Sequence, residues 1–327
     1  RLDAINFCYH DKLLRDNPAK ALEDRQGRGF SDDNPYAFQY HYYNNTQPEN
    51  IEFMEDIRAL MDQYQGVVTL GEISSENSLQ TMAEYTQGDK PLHMAYSFEL
   101  LTPDGSPTYI RNTVEALEEQ LSDGWPCWAI GNHDVARVAT RWNKSHNDKA
   151  NKTAQSKMYN ALLASLRGSV CSYQGEELGL TEADIAYDDL QDPYGINFWP
   201  TFKGRDGCRT PIPCDNKSVN AGVSASDTAW LPVSDIHAEK AVEVQEKDKN
   251  SVLIAYRTFL TWRKMQSCLL YGDINFIESN AEKFVFTRQY QDKKLMVVAN
   301  FTGNSLEYAT KETNLTVLNG NGFSSSI

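Results

Sequence analysis

The chain has 327 residues, 40% of them hydrophobic and 11% aromatic, enough to bury a sizeable core in one large or two modest domains. Its formal charge of −14 excludes the basic face that nucleic-acid phosphates require and argues against docking on an anionic membrane. No apolar run reaches the ~20 residues of a membrane helix. The cysteines Cys8, Cys127, Cys171, Cys208, Cys214 and Cys268 form neither a CxxC pair nor a metal-spaced cluster, so free buried thiols are expected.

In chain order, short β-like runs alternate with amphipathic helical stretches, the pattern of βα units around a parallel sheet. Ile51, Met54, Ile57, Leu60, Met61 and Tyr64 recur at helical spacing, and Gly66 ends that helix. Val67-Val68-Thr69-Leu70 then reads as a fully buried strand running into Gly71-Glu72. A helix over Leu79–Tyr85, a strand over His93–Leu100 and a helix over Tyr109–Leu121 follow. Trp128-Ala129-Ile130 is a strand with Gly131-Asn132-His133-Asp134 at its end, followed by a helix over Ala154–Leu166. Ser169–Tyr173 is another strand, with Gly175-Glu176-Glu177 beyond it.

The polar tract from Thr181 to Glu246 reads as a long loop, of a length that points to function rather than idle connection. Asp206 and Arg209 are expected to pair within it, and Phe198, Trp199 and Phe202 are expected to fill core or form a platform for a ring. One more helix runs from Ser251 to Met265. The texture then changes to short β-runs without helices: Ile274–Ile277, Lys283–Tyr290, Leu295–Asn300 and Leu306–Ala309. The expected organisation is therefore a domain over 1–267 and a small antiparallel, sandwich-like β domain over 268–327. Sequons begin at Asn44, Asn143, Asn151, Asn216, Asn300 and Asn314, a number that an Asn-rich chain yields by chance. The opening Arg1-Leu2-Asp3, with neither initiator Met nor signal peptide, reads as the continuation of a longer polypeptide.

Three acids share one positional habit: Asp3, Glu72 and Asp134 each end an apolar run and precede a polar loop. In a parallel βα barrel, strand C-termini open on one face, so three such acids would converge there. Acetal cleavage needs that grouping, with one carboxylate ionised to attack and another protonated to serve the leaving oxygen.

Four motifs carry a resemblance. Arg1-Leu2-Asp3-Ala4, Gly71-Glu72-Ile73, Asn132-His133-Asp134 and Gly204-Arg205-Asp206-Gly207-Cys208-Arg209-Thr210-Pro211 stand in the order seen in the α-amylase superfamily, glycoside hydrolase family thirteen. The last motif resembles the α-glucosidase and oligo-1,6-glucosidase branch. The resemblance implies an α/β fold, the C-terminal part of a (β/α)8 TIM barrel holding strands four to eight, followed by the antiparallel domain. It implies a retaining hydrolase of terminal α-glucosidic bonds, with Asp3 as nucleophile, Glu72 as acid/base and Asp134 as third carboxylate. Arg1 and His133 are the implied substrate-binding residues, and Arg137, three residues beyond Asp134, is expected either to bind substrate at the pocket rim or to lie on the surface.

The resemblance implies no cofactor and no metal within this chain; a calcium-type loop would belong to the family's N-terminal part, as would the first three βα units needed to complete the site. The expected partner is a small oligosaccharide or glucoside, and the expected compartment is the cytoplasm, with secretion as the alternative. Ala4 after the nucleophile is typical of α-1,4-acting members, and a single arginine, Arg111, between Glu72 and Asn132 disfavours sucrose isomerisation. Transglucosylation and α-1,6 cleavage stay open, as does a non-catalytic scaffold resembling the heavy chains of amino-acid transporters.

Overall fold

The computed structural model describes residues 1–25, 34–143, 149–313 and 315–317, with the side chains of 149–151 left aside. The sequon at Asn314, the last two residues of the one at Asn143 and the end of the expected C-terminal domain lie outside the described residues. The chain forms two compact units, Arg1–Ala129 with Gly168–Cys171, and Ile130–Arg167 with Ser172–Ile327.

The first unit is built on parallel pairings taken in chain order. Leu2 bridges Gly71; β1 (Leu70–Ile73) pairs along its length with β2 (Met94–Ser97); Ala95 bridges Pro126; and β3 (Cys127–Trp128) pairs with β4 (Ser169–Val170). Parallel neighbours need crossover connections, and for the first three pairings these hold α1 (Glu49–Met61), α2 (Ser78–Thr86) and α3 (Pro107–Gln120) in turn. Helix α3 starts where Ser106 caps the Tyr109 N–H with Pro107 in the first turn, and it buries Ile110, Val114 and Leu117 along one stripe.

Four expected strands need correction. The run over Trp128–Ile130 is strand only within β3, at Trp128, and the run over Ser169–Tyr173 only over Ser169–Val170. Val67 and Val68 are 40% and 60% exposed and lie outside β1. Valine favours an extended backbone, but burial needs neighbours on both sides, and pairing begins only where Met94 N–H meets the Thr69 carbonyl and Leu2 N–H the Leu70 carbonyl. The run over His93–Leu100 is a strand only over Met94–Ser97, and a 3-10 turn occupies Glu99–Leu101.

The second unit packs α5 (Lys149–Ser165) against α10 (Val252–Arg263), whose N-terminus is capped by Ser251 on the Ile254 N–H. A short helix, α4 (Val138–Arg141), follows the Asn132-His133-Asp134 segment. The tract read as a loop holds α6 (Pro193–Phe198), α7 (Asp206–Arg209), α8 (Asp235–Ala238) and α9 (Val242–Glu246), each too short to show a helical period in the sequence. Leu178, Leu180 and Leu253 form one apolar cluster, and Ile185, Leu190 and Leu231 form another, with half-buried Trp199 against it.

After α11 (Ser267–Tyr271) comes an antiparallel sheet of β5 (Asp273–Ser279), β6 (Lys283–Tyr290) and β7 (Lys293–Asn300), in that order. The fourth expected run, Leu306–Ala309, forms no strand: it alternates half-buried and exposed residues but finds no ladder partner among the described residues.

Candidate functional site

In the first unit, Glu72 lies in β1, directly opposite Tyr96 of β2. Its neighbour Gly71 is small for a reason: a Cβ there would stand 2.5 Å from Leu92 Cδ1 and 3.1 Å from Ile5 Cγ2. Glu72 is 5% exposed. Its Oε1 accepts from Arg1 Nη2 at 2.8 Å and from the Tyr96 hydroxyl in a short hydrogen bond, while Oε2 faces the Ala4 N–H at 3.4 Å. Ala4 holds φ of 43°, a left-handed conformation that costs about 1 kcal/mol for a residue with a Cβ.

Arg1 also reaches Asp3 Oδ1 at 3.1 Å and donates to the Tyr96 hydroxyl from Nη2 at 3.1 Å. One guanidinium thus serves two carboxylates of opposite exposure, since the Asp3 side chain is 71% exposed and that of Glu72 6%. Burial raises the Glu72 carboxyl above the ordinary carboxylate range, and the hydrogen bond with Asp3 adds to the rise. Tyr96 and Arg1 oppose it without cancelling it. The Tyr96 hydroxyl is itself pushed up, by burial and then by Glu72, so it stays a proton donor. This corner combines an exposed carboxylate beside a cation with a buried carboxyl that retains its proton more readily.

In the second unit, the Asn132 side chain accepts the Asp134 N–H at 2.9 Å, turning the chain at that point. Asp134 Oδ1 accepts from Arg205 Nη1 at 2.9 Å and from Arg209 Nη2 at 3.1 Å. Its Oδ2 lies 3.5 Å from His133 Nε2. The His133 ring is 38% exposed, and its carbonyl accepts from Arg209 Nε at 2.7 Å.

The expected pair of Asp206 and Arg209 does not form. Asp206 is buried and its Oδ2 accepts the Gln191 and Asp192 N–H groups at 2.6 and 2.8 Å. The two residues sit three apart on α7, a helix of a single turn whose ends bond to other segments. The rim or surface position expected for Arg137 is also corrected. It is 4% exposed, with Nη1 on the Gln174 carbonyl at 2.6 Å and Nη2 near the Thr210 hydroxyl at 3.4 Å. Gly175 makes room for it, with φ of +89° and a position where a Cβ would stand 2.4 Å from that Nη1. Arg137 therefore commits Nη1 to the Gln174 carbonyl and Nη2 to Thr210.

Sequence reasoning missed three residues. Tyr96 carries no motif, and only register places it opposite Glu72. Asp192 had a readable signal, an acid immediately before Pro193 at a helix start. Arg205 was read as part of a motif, not as a partner of Asp134. Within neither unit taken alone do three His, Cys, Asp or Glu side chains among the described residues converge as metal ligands would. All six cysteines are free, but only Cys127, Cys208 and Cys268 are buried; Cys171 is half-buried and Cys8 and Cys214 are exposed. No helix among the described residues is long and apolar enough to cross a membrane.

The profile of the family described as "Alpha amylase, catalytic domain" matches residues 1–272. A probable alpha-glucosidase of Rhizobium meliloti (strain 1021) is 44% identical over 332 residues, with 100% of this chain and 59% of that protein covered. An oligo-1,6-glucosidase of Parageobacillus thermoglucosidasius is 26% identical, with 92% and 56% covered. Among solved structures, an alpha-glucosyl transfer enzyme is 55% identical with a TM-score of 0.87, covering 93% of this chain and 56% of that one. A Bacillus licheniformis trehalose-6-phosphate hydrolase, 23% identical with a TM-score of 0.75, shares the fold over 97% of this chain and 58% of its own. The chain thus spans somewhat under three fifths of the length of the relatives it matches.

Proposed function

Because the chain belongs to the α-amylase catalytic-domain family, we propose that it carries the catalytic acids of a retaining enzyme acting on terminal α-glucosidic bonds. Asp3 is the nucleophile, Glu72 the acid/base and Asp134 the third carboxylate, with Arg1 and His133 binding substrate. Residues 1–267 are then strands four to eight of a (β/α)8 barrel, and 268–327 an antiparallel β domain. The substrate is a short oligosaccharide or glucoside, with α-1,4 linkage favoured by Ala4. The chemistry so written uses side chains alone.

The observation that supports this most is the contrast between Asp3 and Glu72 on one arginine. Asp3, exposed and beside Arg1, attacks the anomeric carbon as Glu72, buried and raised, gives its proton to the leaving oxygen. Glu72, now ionised, takes a proton from water, whose oxygen displaces Asp3 and restores the α configuration. Asp134 and His133 grip sugar hydroxyls more tightly as the ring flattens. A second acceptor is favoured by the relative described as an alpha-glucosyl transfer enzyme at 55% identity: a sugar hydroxyl in place of water yields transfer through the same intermediate.

The test uses the intact protein and its Glu72→Gln variant on 4-nitrophenyl α-glucoside and maltose. The variant should lose maltose cleavage by ~10²- to 10⁴-fold but still release a burst of nitrophenol. Azide should restore turnover and give α-glucosyl azide. A β-azide, or equal loss on both substrates without rescue, would refute Asp3 and Glu72 in these roles. Adding maltose or glucose as acceptor and analysing products separates transfer from hydrolysis.

A further inference from the structure

The second unit holds a carboxylate–arginine pair, Asp192 buried and Arg205 half-buried, that the reaction as written does not use. Asp192 has a side chain with 0% exposure, and it binds Arg205 at two points, Oδ2 to Nε at 2.9 Å and Oδ1 to Nη2 at 2.9 Å. The Arg205 N–H adds a third bond to the same Oδ2 at 2.8 Å. The planar fork of an arginine fits a carboxylate in this two-point manner, and the geometry fixes the direction of the remaining nitrogen. That nitrogen is Nη1, and it ends on Asp134 Oδ1 at 2.9 Å.

The surroundings hold the clamp in place. Asp192 caps α6 through the Tyr194 N–H, and its own N–H is held by the buried Asp206. The Tyr194 ring lies 5.2 Å from the guanidinium carbon of Arg205. Just before Arg205, Gly204 holds φ of +76°, and a Cβ there would stand 2.7 Å from Gly195 N and 3.0 Å from Asp192 Oδ2, so no larger residue fits beside the clamp.

We propose that Arg205, aimed by Asp192, is a positioning residue that sets the orientation of the Asp134 carboxylate and leaves Oδ2 for a sugar hydroxyl. This rests on the reading of Asp134 as the third carboxylate. A residue so placed acts only through Asp134. Asp192→Asn keeps the shape and the cap but weakens the fork, and Arg205→Lys keeps the charge but cannot bond at two points and also reach Asp134.

The test is a double-mutant cycle on the intact protein with 4-nitrophenyl α-glucoside. Arg205→Gln should lower kcat about 10- to 100-fold with KM changed less than about threefold. Asp192→Asn and Arg205→Lys should follow with smaller losses of the same kind. In a background of Asp134→Asn, whose residual turnover this activated substrate keeps measurable, each should cost no more than about twofold. A loss merely structural in origin would be the same in both backgrounds and would overturn the proposal, as would wild-type kcat in Arg205→Gln. Should that variant not fold, the Asp192→Asn and Arg205→Lys cycles decide by the same criterion. Full activity in Asp134→Asn would instead sink the functional reading, and this inference with it; an inactive Asp134→Asn beside unaffected Arg205 variants sinks the inference alone.

Discussion

Two titratable residues of the second unit, the half-buried Glu182 and the buried His237, work against each other with pH. Burial pushes the Glu182 carboxyl up to about 7 from an ordinary 4.5, although Oε2 accepts the Arg137 N–H at 2.8 Å. Burial pushes His237 down to about 4 from 6.5, with Nε2 on the Thr181 carbonyl at 2.8 Å. Between the two Glu182 values the folded protein holds a proton that the unfolded chain has lost, so its stability falls as pH rises. Between the two His237 values the unfolded chain binds a proton that the fold refuses, so stability rises with pH. Each slope is at most about 1.4 kcal/mol per pH unit, and over the shared window they offset one another. Glu182→Gln removes one side of this balance. Its stability relative to the parent, from urea unfolding, should grow from pH 4.5 to 7 and level off above, the window set by the two Glu182 values. A difference constant with pH would contradict the assignment.

At the scale of elements, Arg288 in β6 joins two helix ends to the sheet. It is fully buried, donating from Nη1 to the Ser165 and Leu166 carbonyls at 2.8 and 2.7 Å, and from Nη2 to Leu269 and Gly272 at 3.3 and 2.8 Å. These carbonyls close α5 and α11, where the helix dipole favours a cation. Replacing a buried charge by an apolar isostere is sometimes neutral, but here four carbonyls would lose a donor, at about 1–3 kcal/mol for each left unsatisfied. Relief of the buried charge's desolvation offsets part of that loss, so Arg288→Met should lower unfolding free energy by about 2–4 kcal/mol, read from denaturant midpoints. An unchanged midpoint would show that water takes over these carbonyls. The sheet itself was legible: three of the four β-runs read from alternation are its strands. Arg288 was not, because an arginine in a strand reads as an outward-facing residue until its neighbours are known.

For the whole molecule, a net charge of −14 sets self-repulsion against scattered ion pairs. Pairs such as Lys247 with Glu243 and Arg257 with Glu246 are exposed on both partners, so solvent screens them and each contributes little. Self-repulsion acts over the whole surface and is screened by salt within about 10 Å at 0.1 M. Raising NaCl from ~10 to ~200 mM should thus increase Tm by a few degrees. A fall in Tm would mean that the local pairs outweigh the net charge.

The amino-acid order alone determined much of the alternation of strands and helices and the change to an antiparallel sheet near residue 270. These follow from periodicity and local spacing, which the chain states directly. Tertiary structure decided which charges meet. Arg209 was matched to Asp206 by nearness in sequence, yet it bonds to the His133 carbonyl and to Asp134, while Asp206 holds two backbone N–H groups. Arg137 was read as a rim or surface residue, yet its guanidinium is buried among carbonyls. Val67 and Val68 were read as core, yet they stand exposed before the first paired residue of β1. In each case the outcome depends on a neighbour far away in the chain: an arginine's reach of several ångströms offers it many partners, and burial is a property of what lies alongside.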